Sequence, residues 1–341
     1  MAKGDGEWKS TACVLCSLNC GVKVQLSEDG TEITRTKGDD DHPASQGYLC
    51  NKASRLNFYQ HRTDRLLQPM KRNADGSYVP IDWPTAINEI TTKLTAIRDA
   101  HGGDKIFYYG GGGQGNHLPG AYSRSTLATL GVKYRSNALA QEKTGEFWIS
   151  ERMFGGFNHG DFEHAEVIMF LGKNPWQSHG FHKARAQIRQ MAKDPNRTLI
   201  VIDPKRTETA DLADIHLAVK PGRDAWLLAG MVATIVQEGL QDDAWLAKYA
   251  RGIEPVTDIF TNVDVADCAT KADIDEAIIR STARTIAKAK SVAVFEDLGV
   301  QMNRHSTLVS YLQRLTWTLT GNFAKPGTHY TVNGFGNFGE G

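Results

Sequence analysis

Cys13-Val14-Leu15-Cys16-Ser17-Leu18-Asn19-Cys20 carries three thiols in eight residues, and Cys50 follows after 29 intervening residues. Three closely spaced thiolates can wrap one side of a small inorganic object. A fourth, arriving from a distance, closes the other side. A [4Fe–4S] cubane needs this arrangement, because each of its four irons takes one thiolate. Zinc is the alternative for soft thiolates, but structural zinc more often takes paired Cys-x2-Cys knuckles or Cys/His pairs. Cys13, Cys16, Cys20 and Cys50 are therefore the candidate metal ligands. His42 is a possible substitute, and the fifth cysteine, Cys268, reads as a plain thiol packed in the fold.

Around these cysteines, residues 1–66 are polar and hold short strand signals. Gly21–Ser27 alternates apolar and polar residues, Glu28-Asp29-Gly30 turns, and Thr31–Thr34 resumes, which predicts a hairpin. Gly38–Asp41 reads as a solvated turn. Lys52, two residues after the last cysteine, is a candidate cation beside an anionic cluster.

Beyond residue 66 the character changes to strands alternating with helices. Asp82 and Pro84 open a helix whose Ala86, Ile87, Ile90, Leu94 and Ile97 share one face, and Gly102-Gly103 ends it. Strands are expected at 105–109, 166–171, 198–202 and 291–295. Helices are expected from about 181, from Asp224 through Val236, from Asp273 through Ala289, and over 307–319. This alternation predicts an α/β protein: Rossmann-like parallel sheets with helices on both faces, behind a small β-rich N-terminal domain.

Ligands of open parallel sheets bind outside the carboxyl ends of the strands. Four loops fall there. Gly110–Gly113, with Gly112 at its centre, is supple enough for backbone N–H groups to approach a phosphate. Gly172-Lys173-Asn174-Pro175 follows the second strand and leads to His179. Asp203-Pro204-Lys205-Arg206 and Lys220–Asp224 each place an acid where it can accept from a ribose or a purine edge. Taken singly, Asp203 is a turn residue and Asp224 a helix cap; taken together they suggest a nucleotide-bearing ligand.

The bulk numbers set limits. The 341 residues are 40% hydrophobic and 23% charged, with 39 basic and 39 acidic side chains. That balance argues against nucleic acid as a partner. No apolar run is long enough to span a membrane, and the N-terminus shows no signal core, so direct membrane insertion is not expected and a cytoplasmic location is.

Read together, these motifs resemble the dimethyl-sulfoxide-reductase superfamily of molybdopterin oxidoreductases, which includes formate dehydrogenases and nitrate reductases. The resemblance rests on the cysteine quartet, Gly47-Tyr-Leu-Cys-Asn-Lys52, Arg65-Leu with Pro69 and Arg72, and Ile81-Asp-Trp-Pro-Thr-Ala86. It continues through Gly172-Lys-Asn-Pro175, Asp203–Ala210, Pro221-Gly-Arg-Asp-Ala225 and Thr320–Gly327. It implies a bis(molybdopterin guanine dinucleotide) cofactor with molybdenum or tungsten, and electrons passing between a small substrate and the cluster, then to a redox partner protein or subunit. Lys52 would lie between cluster and pterin; Gly172, Asn174, Asp203 and Asp224 would line the dinucleotide sites; His179 matches a histidine of formate-dehydrogenase-like members.

The resemblance also implies three domains: 1–66 for the cluster, 67–137 with about 321–341 as a discontinuous first α/β domain, and 138–320 as the second. Family members run to about twice this length and end in a domain that caps the pterins, absent here, so the chain is expected to be a fragment or to need a separate cap subunit. The loop that ligates the metal falls near Ser136, Ala138 and Gln141, with no cysteine; the best-fitting position, Ala138, cannot ligate. That departure sustains an alternative, an electron-transfer or structural subunit of the same fold without an active pterin site.

Overall fold

The computed structural model describes residues 6–110 and 118–332. They fall into two compact units, 1–138 and 139–341.

The first unit opens with a three-stranded antiparallel sheet, β1 (Lys9–Ala12), β2 (Gly21–Leu26) and β3 (Ile33–Gly38), in that spatial order. The predicted hairpin is β2–β3. Val22, Val24, Ala53 and Leu56 form its small core together with Cys13. Helix α1 (Leu56–Gln60) closes over the sheet, and the ring Nε2 of His61 accepts a hydrogen bond from the Ile33 backbone N–H at 2.7 Å. Within Gly38–Asp41, Asp40 and Asp41 form the exposed turn that the composition suggests, but Gly38 and Asp39 do not belong to it. Asp39 is buried and ion-pairs with Lys23 at 2.9 Å, because its backbone bridges β2 to the segment that leads to Cys50.

A short hairpin, β4 (Met70–Arg72) and β5 (Tyr78–Pro80), precedes helix α2 (Trp83–His101). Asp82 caps α2 by accepting from the Thr85 N–H at 2.7 Å, and Gly102, at φ +88°, ends it. β6 (Phe107–Gly110) pairs in parallel with β7 (Tyr134–Asn137), and α3 (Leu118–Leu130) lies between them in sequence. Of the predicted apolar face of α2, Ala86 is buried and Leu94 half-buried, while Ile87, Ile90 and Ile97 are exposed. Two strands of four residues are too small to cover a helix of this length.

The second unit begins with α4 (Leu139–Glu142), α5 (Thr144–Phe154) and β8 (Asn158–Gly160). Its centre is a parallel sheet of β9 (Val167–Leu171), β10 (Thr198–Ile202), β11 (Ile215–Leu217) and β12 (Val292–Glu296), in the order β11-β10-β9-β12. All five residues of β9 are buried, each side chain worth about 2 kcal/mol. They alternate between two cores. Val167, Met169 and Leu171 pack with α8 (Asp224–Gln237), α9 (Asp243–Tyr249), α10 (Glu254–Thr261), α11 (Val265–Ala272) and α12 (Glu276–Lys288). Ile168 and Phe170 face the other way, toward Phe162, Phe181, Ile188 and Met191, the last two on α7 (Ala184–Met191), which follows the short α6 (Pro175–Ser178). Helices therefore cover both faces, as expected of a buried parallel sheet.

Two helix starts differ from expectation. Asp273 does not open a helix; it ends α11 in the left-handed conformation, and Asp275 caps α12 by accepting from the Ala277 N–H. Asp224 is the first residue of α8 rather than its cap, with its side chain turned to other partners. After β12 come α13 (Leu298–Gln301) and α14 (Ser306–Thr318). Residues 321–332 pack in this second unit, where β13 (His329–Thr331) pairs antiparallel with β8.

Behind β12, Arg314 and Glu296 form a buried ion pair at 3.0 Å; Ser310 donates to the same Glu296 oxygen, and Ser150 accepts from the other terminal nitrogen of Arg314. Losing one partner of such a pair costs about 3–5 kcal/mol, because the other charge stays buried. Among the described residues, no helix is long and apolar enough to cross a membrane.

His329 gives this unit a defined pH response. Its ring stacks on Trp317 at 4.0 Å, and Nε2 accepts from the Val294 N–H at 2.9 Å. Burial, then the nearby Arg314 charge, holds it well below the ordinary histidine range. The folded ring stays neutral, while the unfolded chain takes up a proton below about pH 6.5. Its stabilising contribution is thus complete above that pH and lost as pH falls. Denaturant unfolding at pH 7.5 and pH 5.5 should show the wild type losing about 1 kcal/mol more than His329→Gln. Equal losses would contradict the assignment.

Candidate functional site

The cysteine site grows from the hairpin. β1 and β2 pair with Ala12 opposite Gly21, and the Cys13 N–H donates to the Cys20 carbonyl at 2.8 Å, which closes the loop carrying Cys13, Cys16 and Cys20. Asn19, at φ +47°, turns the chain inside that loop, and its side-chain amide donates to the Cys13 carbonyl. Cys50 is brought back by the segment after β3. The Gly21 N–H donates to Ser45 Oγ at 3.1 Å, and the Gly47 N–H donates to the Asp39 carbonyl at 2.9 Å. Gly38 meets Gly47 backbone to backbone so closely that a Cβ on Gly38 would collide with the Gly47 carbonyl.

All four cysteines are free thiols, Cys13 buried and the others half-buried. Burial pushes the Cys20 thiol up to about 11, with further contributions from Cys16, Cys13 and Cys50. Burial likewise raises Cys13, which feels Cys16 and Cys50 and, with the opposite sign, Lys52. The four sulfurs and the Lys52 ammonium thus share one electrostatic neighbourhood. Among the described residues, no three His, Cys, Asp or Glu side chains close on a point that suits a single ion. Zinc would draw four sulfurs to about 2.3 Å from one nucleus. A cubane spreads its thiolates over four irons, one thiolate to each. The Ala53 N–H already points at Cys50 Sγ, at 3.4 Å, a donor of the kind that favours a thiolate.

In the second unit the sheet has a topological switch point. The chain leaves β9 toward α7 on one face and leaves β12 toward α14 on the other, the change of direction at which sheets of this kind form a binding crevice. Its walls touch through glycines. The Gly299 N–H donates to the Gly172 carbonyl at 3.1 Å, and a Cβ on Gly172, at φ +58°, would sit 2.7 Å from the Val300 nitrogen. Asn174 next door donates to Glu208 at 2.8 Å and accepts from Thr209 Oγ1 at 2.6 Å. Asp203 accepts from the Lys205 N–H at 2.9 Å in a tight turn. Asp224 is buried and accepts from Asn303 at 3.3 Å; burial and, more weakly, the facing Asp203 raise its carboxyl. Gly172, Asn174, Asp203 and Asp224 therefore all lie toward the carboxyl ends of this sheet, the edge where open parallel sheets bind their ligands. His179 is buried at the end of α6, at φ +58°.

Ser136 sits half-buried on β7, Ala138 follows that strand, and Gln141 is exposed on α4. Gly112 lies outside the described residues. Sequence reasoning missed a cluster of charge at the switch point itself, formed by Lys143, Glu146, Lys173, Asp297 and Gln301. The available signal was Glu296-Asp297, two acids ending an otherwise apolar strand.

Comparison with known proteins agrees with the fold. The family model described as the molybdopterin oxidoreductase Fe4S4 domain matches residues 7–62, and that described as molybdopterin oxidoreductase matches residues 65–316. The chain belongs to the molybdopterin oxidoreductase family. It is 30% identical over 347 residues to the assimilatory nitrate reductase catalytic subunit of Bacillus subtilis, covering 96% of this chain and 46% of that protein. It is 30% identical over 340 residues to formate dehydrogenase H of Escherichia coli, covering 95% and 46%. The acetylene hydratase structure from Pelobacter acetylenicus shares the fold, with a TM-score of 0.82, 23% identity, and coverage of 95% of this chain and 44% of that one. The chain thus spans about half the length of the curated relatives it matches.

Gly172→Ala is a direct test of the crevice. A methyl there combines positive φ with a backbone collision, for a cost of about 1–3 kcal/mol. The expected result is a melting point several degrees lower; an unchanged melting point would mean that the two loops do not touch.

Proposed function

We propose that this chain is the cluster-bearing and nucleotide-binding part of a molybdopterin-dependent oxidoreductase that moves electrons between a small substrate and a [4Fe–4S] cluster. The observation that carries the reading is the gathering of Cys13, Cys16, Cys20 and Cys50 into one neighbourhood with Lys52. Those four thiolates would hold the cluster, and Lys52 would offset its negative charge on the side toward the pterin. Gly172, Asn174, Asp203 and Asp224, with Gly112, would hold guanine dinucleotide portions of a bis(molybdopterin guanine dinucleotide). The molybdenum or tungsten centre, when bound, supplies two-electron chemistry on a small molecule; the chain positions it and tunes its surroundings. Electrons would leave singly through the cluster to a partner protein or subunit.

Within the chain, each assigned group has a physical task. Asp224 is a buried acceptor suited to a guanine or ribose donor, and Asn174 is held in place by Glu208 and Thr209. Gly172 and Gly299, without side chains, let the two strand-end loops touch backbone to backbone. The division into 1–66, 67–137 and 138–320 is part of the same proposal, with residues 321–332 placed not beside 67–137 but in the second unit, where β13 pairs with β8.

Anaerobically purified protein, expressed with its complete reading frame, should contain molybdenum or tungsten and should release guanine on acid hydrolysis. Cys50→Ser should lose the broad visible absorption of the cluster while retaining most of its guanine. Protein with iron but neither molybdenum, tungsten nor guanine would contradict the oxidoreductase reading and favour a structural or electron-transfer subunit.

A further inference from the structure

Two arms of chain carry the cysteine quartet. One is the loop from Cys13 to Cys20, which runs directly into Gly21 at the start of β2; the other is the segment from Asp39 to Cys50. Both backbone groups of Gly21 are tied to the second arm. Its N–H donates to Ser45 Oγ at 3.1 Å, and its carbonyl accepts from the Asp39 N–H at 3.1 Å. Ser45 is fully buried. Its hydroxyl lies 2.9 Å from His42 Nδ1, and its own N–H donates to the same ring nitrogen at 3.1 Å. The His42 carbonyl accepts from the Gln46 N–H at 3.0 Å, and the Ser45 carbonyl accepts from the Tyr48 N–H at 2.8 Å, so the arm folds into a compact turn. The His42 side chain lies directly against Gly21, where an added Cβ would come within 2.4 Å of His42 Cβ.

These contacts fix which ring nitrogen carries the hydrogen. A backbone N–H can only donate, so Nδ1 presents its lone pair to Ser45, and the neutral ring holds its hydrogen on Nε2. The Ser45 hydroxyl accepts from Gly21 and sends its own hydrogen to Nδ1. The bonds therefore run in one direction, from Gly21 to Ser45 to His42. An imidazole in that state has one nitrogen engaged and the other protonated, with no lone pair for iron. His42, the possible substitute ligand, is thus committed elsewhere.

We propose that Ser45 and His42 are positioning residues, a latch that fixes the Cys20 end of one arm against the arm delivering Cys50 and so sets how firmly a cluster is held. The inference rests on reading the four cysteines as cluster ligands. Gly21 is the residue after Cys20, and Ser45 lies five residues before Cys50, so the latch joins the arms close to two ligands. Without the Ser45 hydroxyl, the buried Gly21 N–H is left without its acceptor. Groups that orient ligands from behind typically change metal affinity by about 10–100-fold.

The test uses the complete protein, purified without oxygen. Iron release to a chelator should be about tenfold faster in Ser45→Ala and in His42→Leu than in the wild type. His42→Asn should restore wild-type retention, because its side-chain oxygen can take the place of Nδ1 as acceptor. The electron paramagnetic resonance signal of the reduced cluster should be homogeneous in the wild type and in His42→Asn, and heterogeneous in Ser45→Ala. The Gly21 amide should be protected from hydrogen exchange in the wild type and exchange about tenfold faster in Ser45→Ala. Iron loss from His42→Asn as fast as from His42→Leu would overturn the proposal, as would wild-type retention in Ser45→Ala. Where a variant fails to fold, the wild type decides: an unprotected Gly21 amide overturns the latch, and a protected one supports it. Wild-type protein without iron and sulfide would sink the cluster reading alone, since amide exchange at Gly21 reports on the latch without reference to the metal.

Discussion

In the proposed reading four sulfur atoms, three of them local and one distant in sequence, have to meet, and the described residues up to 60 bring the segments that carry them together through backbone contacts. The short distances are solved by the β1–β2 turn, which the Cys13–Cys20 backbone bond closes. The long one is solved by backbone contact. Gly38 and Gly47 pass without side chains, Ser45 anchors on Gly21, and Asp39 ties β2 to the returning segment. The core of this sheet is small, and Cys13 and Cys50 are themselves part of its apolar packing. A bound cluster would be structural as well as electronic, because metal binding to a site of this kind is also folding free energy. The raised thiols of Cys13 and Cys20 fit that view, since their protons must leave as the metal arrives.

The second unit solves a different problem. Its sheet is buried on both faces, so the open places for chemistry are the strand ends, and the change of direction between β9 and β12 selects one of them. The residues there divide by task. Glycines let two loops cross, Asn174, Asp203 and Asp224 present hydrogen-bonding groups at the rim, and a chain of charges descends from Asp297 and Lys143 to Glu146. The chain is about half the length of its curated relatives, which also have further residues with which to surround such a crevice.

Much of this was legible in the residues. Buried parallel strands announce themselves as apolar runs, and β9, β10 and β12 fall within a residue of their expected bounds. The spacing of the cysteines pointed to an iron–sulfur domain, the kind of domain whose family model matches residues 7–62. The errors arose where one-dimensional patterns cannot see partners. Asp39 looked like a solvated acid because Lys23 and the Gly21 backbone are remote in sequence. Asp273 resembled a helix cap, but Asp275 has the geometry to serve. Ile87, Ile90 and Ile97 form a regular apolar stripe, yet periodicity does not say what covers it. The Lys143–Glu146–Asp297 network joins residues about 150 positions apart, beyond the reach of any local motif.

The direct measurement is elemental: iron and acid-labile sulfide per chain in protein prepared without oxygen, with zinc determined in the same sample. A cubane held by the quartet gives about four of each and a brown protein whose spectrum bleaches on reduction. One zinc per chain, with no sulfide and no visible colour, would contradict the cluster and remove the route by which electrons are held to leave the crevice.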